Sequence, residues 1–194
     1  MTLTSMALGQ MTLPKQAMLV LAGSALIAVA AQINVRFWPV PMTLQTLAIL
    51  FVGFAYGSRL GAATLLAYLA EGAMGLPVFA NGMNGAAFVG PTAGFLVGFV
   101  GLAWLAGLAT DRGITSPLLL APVGIAATLL LYIPGLAWPL GVAQAMGVSV
   151  WGADLAFADL LGAFMTPFLV GDIVKAVVAA LLVSGGVAWM KSRA

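Results

Sequence analysis

Charge is what this sequence most conspicuously lacks. A soluble domain carries roughly 25% charged residues; here the figure is 6%, from seven Lys or Arg and five Asp or Glu in 194 residues. With 63% hydrophobic residues and a mean hydropathy of +1.15, the chain cannot present a soluble surface and reads as an integral membrane protein. Cysteine is absent, which excludes a disulfide framework and thiolate chemistry. Histidine is absent too, which removes the commonest metal ligand and general base, so no metal site and no enzyme are expected. A net charge of +2 is too small to argue for nucleic acid. No GxxxxGK[ST] phosphate loop occurs, so ATP hydrolysis by that route is not expected, and no cofactor is implied.

What is present is a series of apolar runs along the whole chain, read as one membrane domain over residues 1–194. A helix needs about 20 apolar residues to cross the hydrocarbon core. The expected fold is all-α, with six transmembrane helices at about 16–35, 43–56, 59–73, 92–110, 117–135 and 166–190. The first run resembles the others and follows a polar stretch, so it is not read as a signal peptide. Arg36-Phe37-Trp38-Pro39-Val40-Pro41 closes it. The second and third runs share a stretch that is short for two crossings. They read as short helices sheltered inside the bundle, with one long helix broken at Gly57-Ser58 as the alternative. Six spans put Lys15, Arg59, Arg112, Lys191 and Arg193 on one side and Arg36 alone on the other. By the positive-inside rule both termini are then cytoplasmic, and the loops at 36–42, 74–91 and 136–165 face outward.

One ionisable pair breaks the pattern. Asp172 and Lys175 lie inside the last apolar run, where a charge costs about 2.5–3.5 kcal/mol on insertion scales. Three residues apart, they share a helix face, in the outer half of the membrane. A mutual salt bridge that holds the bundle together is one reading. The favoured one is a carboxylate acceptor and an ammonium donor offered to a small polar ligand. The loop above carries glycines at 75, 82, 85 and 90 with Asn81, Asn84, Phe79 and Phe88 between them. It is too apolar for a merely solvated connector, and is expected to fold inward as a pocket wall. Gln32, Asn34, Thr43, Gln45, Thr46, Tyr68 and Glu71 lie near the same ends of their helices, and the Gln45 amide can both donate and accept. Trp151–Met165 is expected to hold a short interfacial helix, with Asp154 and Asp159 in water or at headgroups. Ser24 and Ala28 make a small-xxx-small pair, suited to internal packing or to docking another membrane protein.

Four stretches carry a family resemblance. Trp38-Pro39-Val40-Pro41-Met42-Thr43-Leu44-Gln45-Thr46-Leu47, Tyr68-Leu69-Ala70-Glu71-Gly72 followed by Gly75-Leu76-Pro77-Val78-Phe79, Gly90-Pro91-Thr92-Ala93-Gly94-Phe95, and Pro167-Phe168 leading to Gly171-Asp172-Ile173-Val174-Lys175 resemble the BioY family in order and over nearly the whole chain. The resemblance is weakest at Ala93, at Phe95 and across 81–85. It implies a six-helix biotin-specific substrate-capture (S) component of an energy-coupling factor (ECF) transporter in the cell membrane. Its implied partners are biotin, a transmembrane coupling protein and a pair of ATPase subunits. The implied biotin site is Asp172, Lys175, Asn81, Asn84, Gln45, Tyr68, Phe79 and Phe88. Asp172 would accept from a ureido N–H, and Asn81 or Asn84 would complete the ureido pattern. Lys175 would neutralise the valerate carboxylate or else orient Asp172, while Tyr68, Phe79 and Phe88 would wall the rings. An S component for another vitamin, or a stand-alone small-solute carrier, is the alternative.

Overall fold

A computed structural model of the chain describes residues 2–35, 37 and 40–193. Arg36, the lone charge expected in the first outer loop, and Trp38-Pro39 of the first family stretch lie outside the described residues. The elements run α1 (Leu3–Leu8), α2 (Leu13–Gln32), β1 (Asn34–Val35), β2 (Met42–Thr43), α3 (Gln45–Tyr56), α4 (Ser58–Ala73), α5 (Ala93–Asp111), α6 (Pro117–Ala137), α7 (Ala143–Ala145), α8 (Phe157–Phe164) and α9 (Leu169–Lys191). Two 3-10 turns, Ala80–Gly82 and Gly85–Val89, lie between α4 and α5, and a π-helical turn, Trp138–Val142, joins α6 to α7.

Among the described residues four helices are long and apolar enough to cross a membrane: Leu13–Gln32, Ala93–Asp111, Leu169–Lys191 and the α6–α7 stretch Pro117–Ala145. Helices α3 and α4, with 12 and 16 residues, reach only about 18 and 24 Å at 1.5 Å per residue. The chain reverses between them. Gly57 has φ 85°, a conformation glycine adopts without the Cβ penalty. A Cβ on Gly61 would lie 3.3 Å from the Gly53 backbone, so positions four residues either side of Gly57 touch, as in a helical hairpin. Two helices, not one long broken helix, therefore occupy 45–73. Eight residues of α3 are buried. Its last turn is sheltered by α1, whose Thr4 hydroxyl donates to the Ala55 carbonyl at 3.1 Å. The β1–β2 hairpin, with Asn34 opposite Thr43, leads into its first turn.

The hairpin corrects the first expected span, whose end was placed at 35. Helix α2 stops at Gln32, and Ile33 is extended. The β-branched pair around Asn34 gains more from a ladder than from continuing the helix. The last span is corrected at its start. Helix α9 begins at Leu169 rather than 166, because Thr166–Phe168 form a turn held by Thr166 donating to the Leu161 carbonyl.

Small residues let the helices approach closely, as lipid-embedded bundles require. Helix α5 is central, packing against α3, α4 and α6. A Cβ on Gly53 would lie 2.6 Å from the Ala103 carbonyl, and one on Gly98 2.7 Å from Leu131. The α3–α4 turn is pinned to the end of α5 by Asp111, which accepts from the Ser58 N–H at 3.0 Å and from its hydroxyl at 2.5 Å. A carboxylate there satisfies an orphan donor and complements the α4 dipole. Gly23 and Ser24 are buried, Gly23 beside Tyr56 and Thr64 and Ser24 donating to Glu71. That part of the small-residue face therefore packs internally against the α3–α4 hairpin.

Candidate functional site

The ends of the helices that do not carry Lys15, Arg59, Arg112 and Lys191 surround a cavity of about 280 Å³. Its walls come from the β1–β2 hairpin, the first turns of α3, α5 and α9, the last turns of α6, the end of α8 and the 74–92 connection. Phe79, Phe95, Phe99, Phe164 and Phe168 make it largely apolar. Phe95 stacks on Phe164 with centroids 6.4 Å apart and meets Tyr132 edge-on at 5.9 Å. Phe168 contacts Phe37 of the hairpin. A volume at the small end of the ligand-pocket range of about 300–1,000 Å³ suits one small molecule.

Asp172 is the polar centre of this wall and only 7% exposed. It falls in the first turn of α9, about 5 Å along the axis from Leu169. That is shallower than the sequence implied, and the helix N-terminus there favours a carboxylate. Three side chains donate to it. Lys175 and Thr46 each reach Oδ1 at 3.1 Å, and Tyr132 reaches Oδ2 at 2.5 Å. An ionised carboxylate offers about four acceptor sites, so among the described residues one on Oδ2 remains open. Lys175, whose side chain is 12% exposed, bonds only Asp172 among the described residues. Two of its three N–H donors therefore stay available to the cavity. The pair is bridged internally and lines the cavity at once.

The other expected site residues divide into two layers. Gln45, Asn81 and Phe79 line the cavity with Asp172 and Lys175, whereas Tyr68, Asn84 and Phe88 do not. The Tyr68 hydroxyl is taken, accepting from Gln45 Nε2 and donating to the Val78 carbonyl, both at 2.9 Å. The rings of Tyr68 and Phe88 each meet Phe79 edge-on, at 5.2 and 5.5 Å, from behind the wall. Asn84 turns to its own backbone, accepting from the Ala86 N–H and capping the second 3-10 turn. Asn81 is left-handed, with φ 59°, alone among the described non-glycine residues, a conformation asparagine tolerates. The loop does fold over the cavity. Phe79 is 2% exposed, with its ring where a Gly72 side chain would otherwise stand, and Trp138 donates to the Gly90 carbonyl at 2.9 Å.

Sequence reasoning missed Tyr132 and the aromatic walls Phe95, Phe164 and Phe168. A lone phenol in an apolar helix is a weak signal that a buried acceptor lies nearby, but nothing in the pattern says which helix supplies it. Asp154 and Asp159 are exposed, and the expected short helix is found at Phe157–Phe164.

A bundle of apolar helices closed at one end around a small cavity, with one ion pair in its wall among the described residues, is the build of a membrane protein that captures a small solute. The chain belongs to the BioY family, whose family model matches residues 4–192. It is 37% identical over 163 residues to "Biotin transporter BioY" of Thermotoga maritima, covering 82% of this chain and 88% of that one. It is 40% identical over 154 residues to "Biotin transporter BioY" of Rhodobacter capsulatus, covering 74% and 76%. The fold is also that of the crystallised S-component for biotin from an ECF-type ABC transporter, with a TM-score of 0.69 at 22% identity over 90% of this chain and 93% of that one.

Proposed function

We propose that this chain is the biotin-binding S component of an ECF transporter in the cytoplasmic membrane. It would take biotin from outside and depend on a transmembrane coupling protein and ATPase subunits to release it inward. The observation that carries the reading is the Lys175–Asp172 pair on the wall of an otherwise aromatic cavity, in a chain whose curated relatives are named biotin transporters.

The spacing of the pair favours one end of biotin over the other. The ammonium and carboxylate lie 3.1 Å apart, so they present one polar spot. Biotin's ureido and carboxylate groups are separated by its bicycle and valerate chain. A ureido edge places a carbonyl acceptor beside an N–H donor, which matches an adjacent Lys donor and Asp acceptor. It also adds no net charge to a site where the pair already neutralises itself, whereas a third, anionic group would be left buried and uncompensated. Lys175 therefore donates to the ureido oxygen, and Asp172 accepts an N–H at its open site. This reverses the carboxylate role first expected of Lys175. The rings lie against Phe79, Phe95 and Phe164, and the valerate points toward Gln45 and Asn81. Tyr68, Phe88 and Asn84 support the wall from behind.

In the membrane, α2, α3, α4, α5, α6 and α9 make six passes, with the glycine-rich loop and cavity outward and both termini cytoplasmic. The support is the clustering of Lys15, Arg59, Arg112, Lys191 and Arg193 at the end away from the cavity. The short α3 and α4 are accommodated because α1 and the hairpin extend their column with backbone sheltered by protein. The chain is not an enzyme on this reading, since the acid and base at its cavity, Asp172 and Lys175, pair with each other. The test is equilibrium binding of labelled biotin to the purified chain in detergent. Saturable one-to-one binding, displaced by unlabelled biotin, is expected. Failure to bind biotin while retaining riboflavin or thiamine would overturn the assignment.

A further inference from the structure

We propose that Gln32 and Tyr68 form a latch that holds the 74–92 connection shut over the cavity and so sets how fast ligand leaves. Neither residue lines the cavity, so both are positioning residues. The ligand part of the inference rests on the biotin reading above.

Gln32 is the last residue of α2. Its Nε2 donates to the Phe79 carbonyl at 3.0 Å, and its Oε1 accepts from the Gly82 N–H at 3.1 Å. One side chain thus grips both ends of the 3-10 turn that carries Asn81. Tyr68, from α4, donates its hydroxyl to the Val78 carbonyl. The backbone at 78, 79 and 82 is therefore held by side chains from two helices. The wall residues Phe79, Ala80, Asn81 and Met83 hang from these three attachments. The stretch is also held by its own backbone, with the Phe79 N–H donating to the Met83 carbonyl at 2.9 Å, the Val78 N–H to the Leu76 carbonyl at 2.8 Å, the Gly82 N–H to the Phe79 carbonyl at 3.1 Å and the Met83 N–H to the Ala80 carbonyl at 3.3 Å, and by the Phe79 ring against Tyr68 and Phe88. Tyr68 reaches further, because its hydroxyl also accepts from Gln45, which lines the cavity. A rearrangement of the loop at Val78 is thereby transmitted to a wall side chain on α3.

The absence of cysteine from the chain permits a direct test. Ala87, 4% exposed and on the cavity wall, is replaced as Ala87→Cys. Its labelling by a water-soluble maleimide is timed without ligand, where the rate follows the open population. Gln32→Met keeps the side-chain length and removes both bonds. Tyr68→Phe keeps the ring and removes the hydroxyl's bonds to Val78 and Gln45. Each is expected to raise labelling about three- to tenfold, the effect of one or two modest hydrogen bonds. Gln32→Glu, which retains only the acceptor for Gly82, should fall between. The unfolding temperature should stay close to that of the parent, which a merely structural role would not allow. Labelled biotin should leave both variants faster, with its association rate preserved. Amide hydrogen exchange over 78–90 gives the same readout should the cysteine variant fail to fold. Unchanged labelling and exchange in both variants would overturn the latch, even with biotin binding intact. Faster labelling in a chain that binds no biotin would support the latch and refute only the ligand assignment.

Discussion

At the scale of single residues, the buried carboxylate of Asp172 organises the site. Its donors come from three helices: Thr46 on α3, Tyr132 on α6 and Lys175 on α9. Buried charge is tolerable only when paired and hydrogen-bonded, and these donors meet that demand while leaving Lys175 with spare protons. Tyr132→Phe removes one donor without changing the ring that meets Phe95. Biotin affinity is expected to fall about tenfold, the effect of about 1.4 kcal/mol, measured by equilibrium binding, with the chain still folded. No change would mean that the phenol is irrelevant to how the acid is held. Asp172 and Lys175 were legible in the sequence because charge inside an apolar run is costly and therefore conspicuous. Tyr132 was not, because its role depends on which face of α6 meets α9. Tyr68 and Phe88 could be assigned to the site but not to its layers, since both stand behind Phe79 and only packing separates a wall from its support.

At the scale of elements, the bundle is set by where small residues permit contact. Gly107 on α5 lies against the backbone of Gly57 and Ser58, at the turn that Asp111 also pins. Gly107→Val would force those backbones apart and lower the unfolding temperature in detergent by several degrees, an overpacking cost of about 1–3 kcal/mol. An unchanged melting curve would show that the turn is not held there. The helices were legible from apolar runs and from Gly57-Ser58 and Pro117, which act through backbone conformation alone. Their ends were less so. Ile33-Asn34-Val35 continues the apolar pattern of α2, and only pairing with Met42 and Thr43, several residues away, makes it a strand. Likewise Thr166-Pro167-Phe168 looks like a first helical turn until Leu161 takes the Thr166 hydroxyl. Moving the start of α9 to Leu169 brought Asp172 to the helix N-terminus, where the dipole favours its charge.

At the scale of the whole molecule, basic charge is segregated by end among the described residues: Lys15, Arg59, Arg112 and Lys191 stand at the helix ends away from the cavity, and Lys175, paired with Asp172, is the exception. The proposed orientation follows from this asymmetry, and the absence of cysteine again makes it testable. In intact cells, Asn81→Cys is expected to react with a membrane-impermeant maleimide, whereas Arg193→Cys should react only after permeabilisation. The reverse pattern would invert the topology and place the cavity on the cytoplasmic side.

The central claim is that the Lys175–Asp172 pair meets the ureido edge of biotin. It is tested most directly by Lys175→Met, assayed for both biotin and biotinamide, which lacks the carboxylate charge. Affinity for the two ligands is expected to fall by similar factors of about 30 or more, as when one member of a buried charge pair is lost. A fall confined to biotin would place the carboxylate at Lys175, and undiminished binding of both by a folded variant would contradict the account.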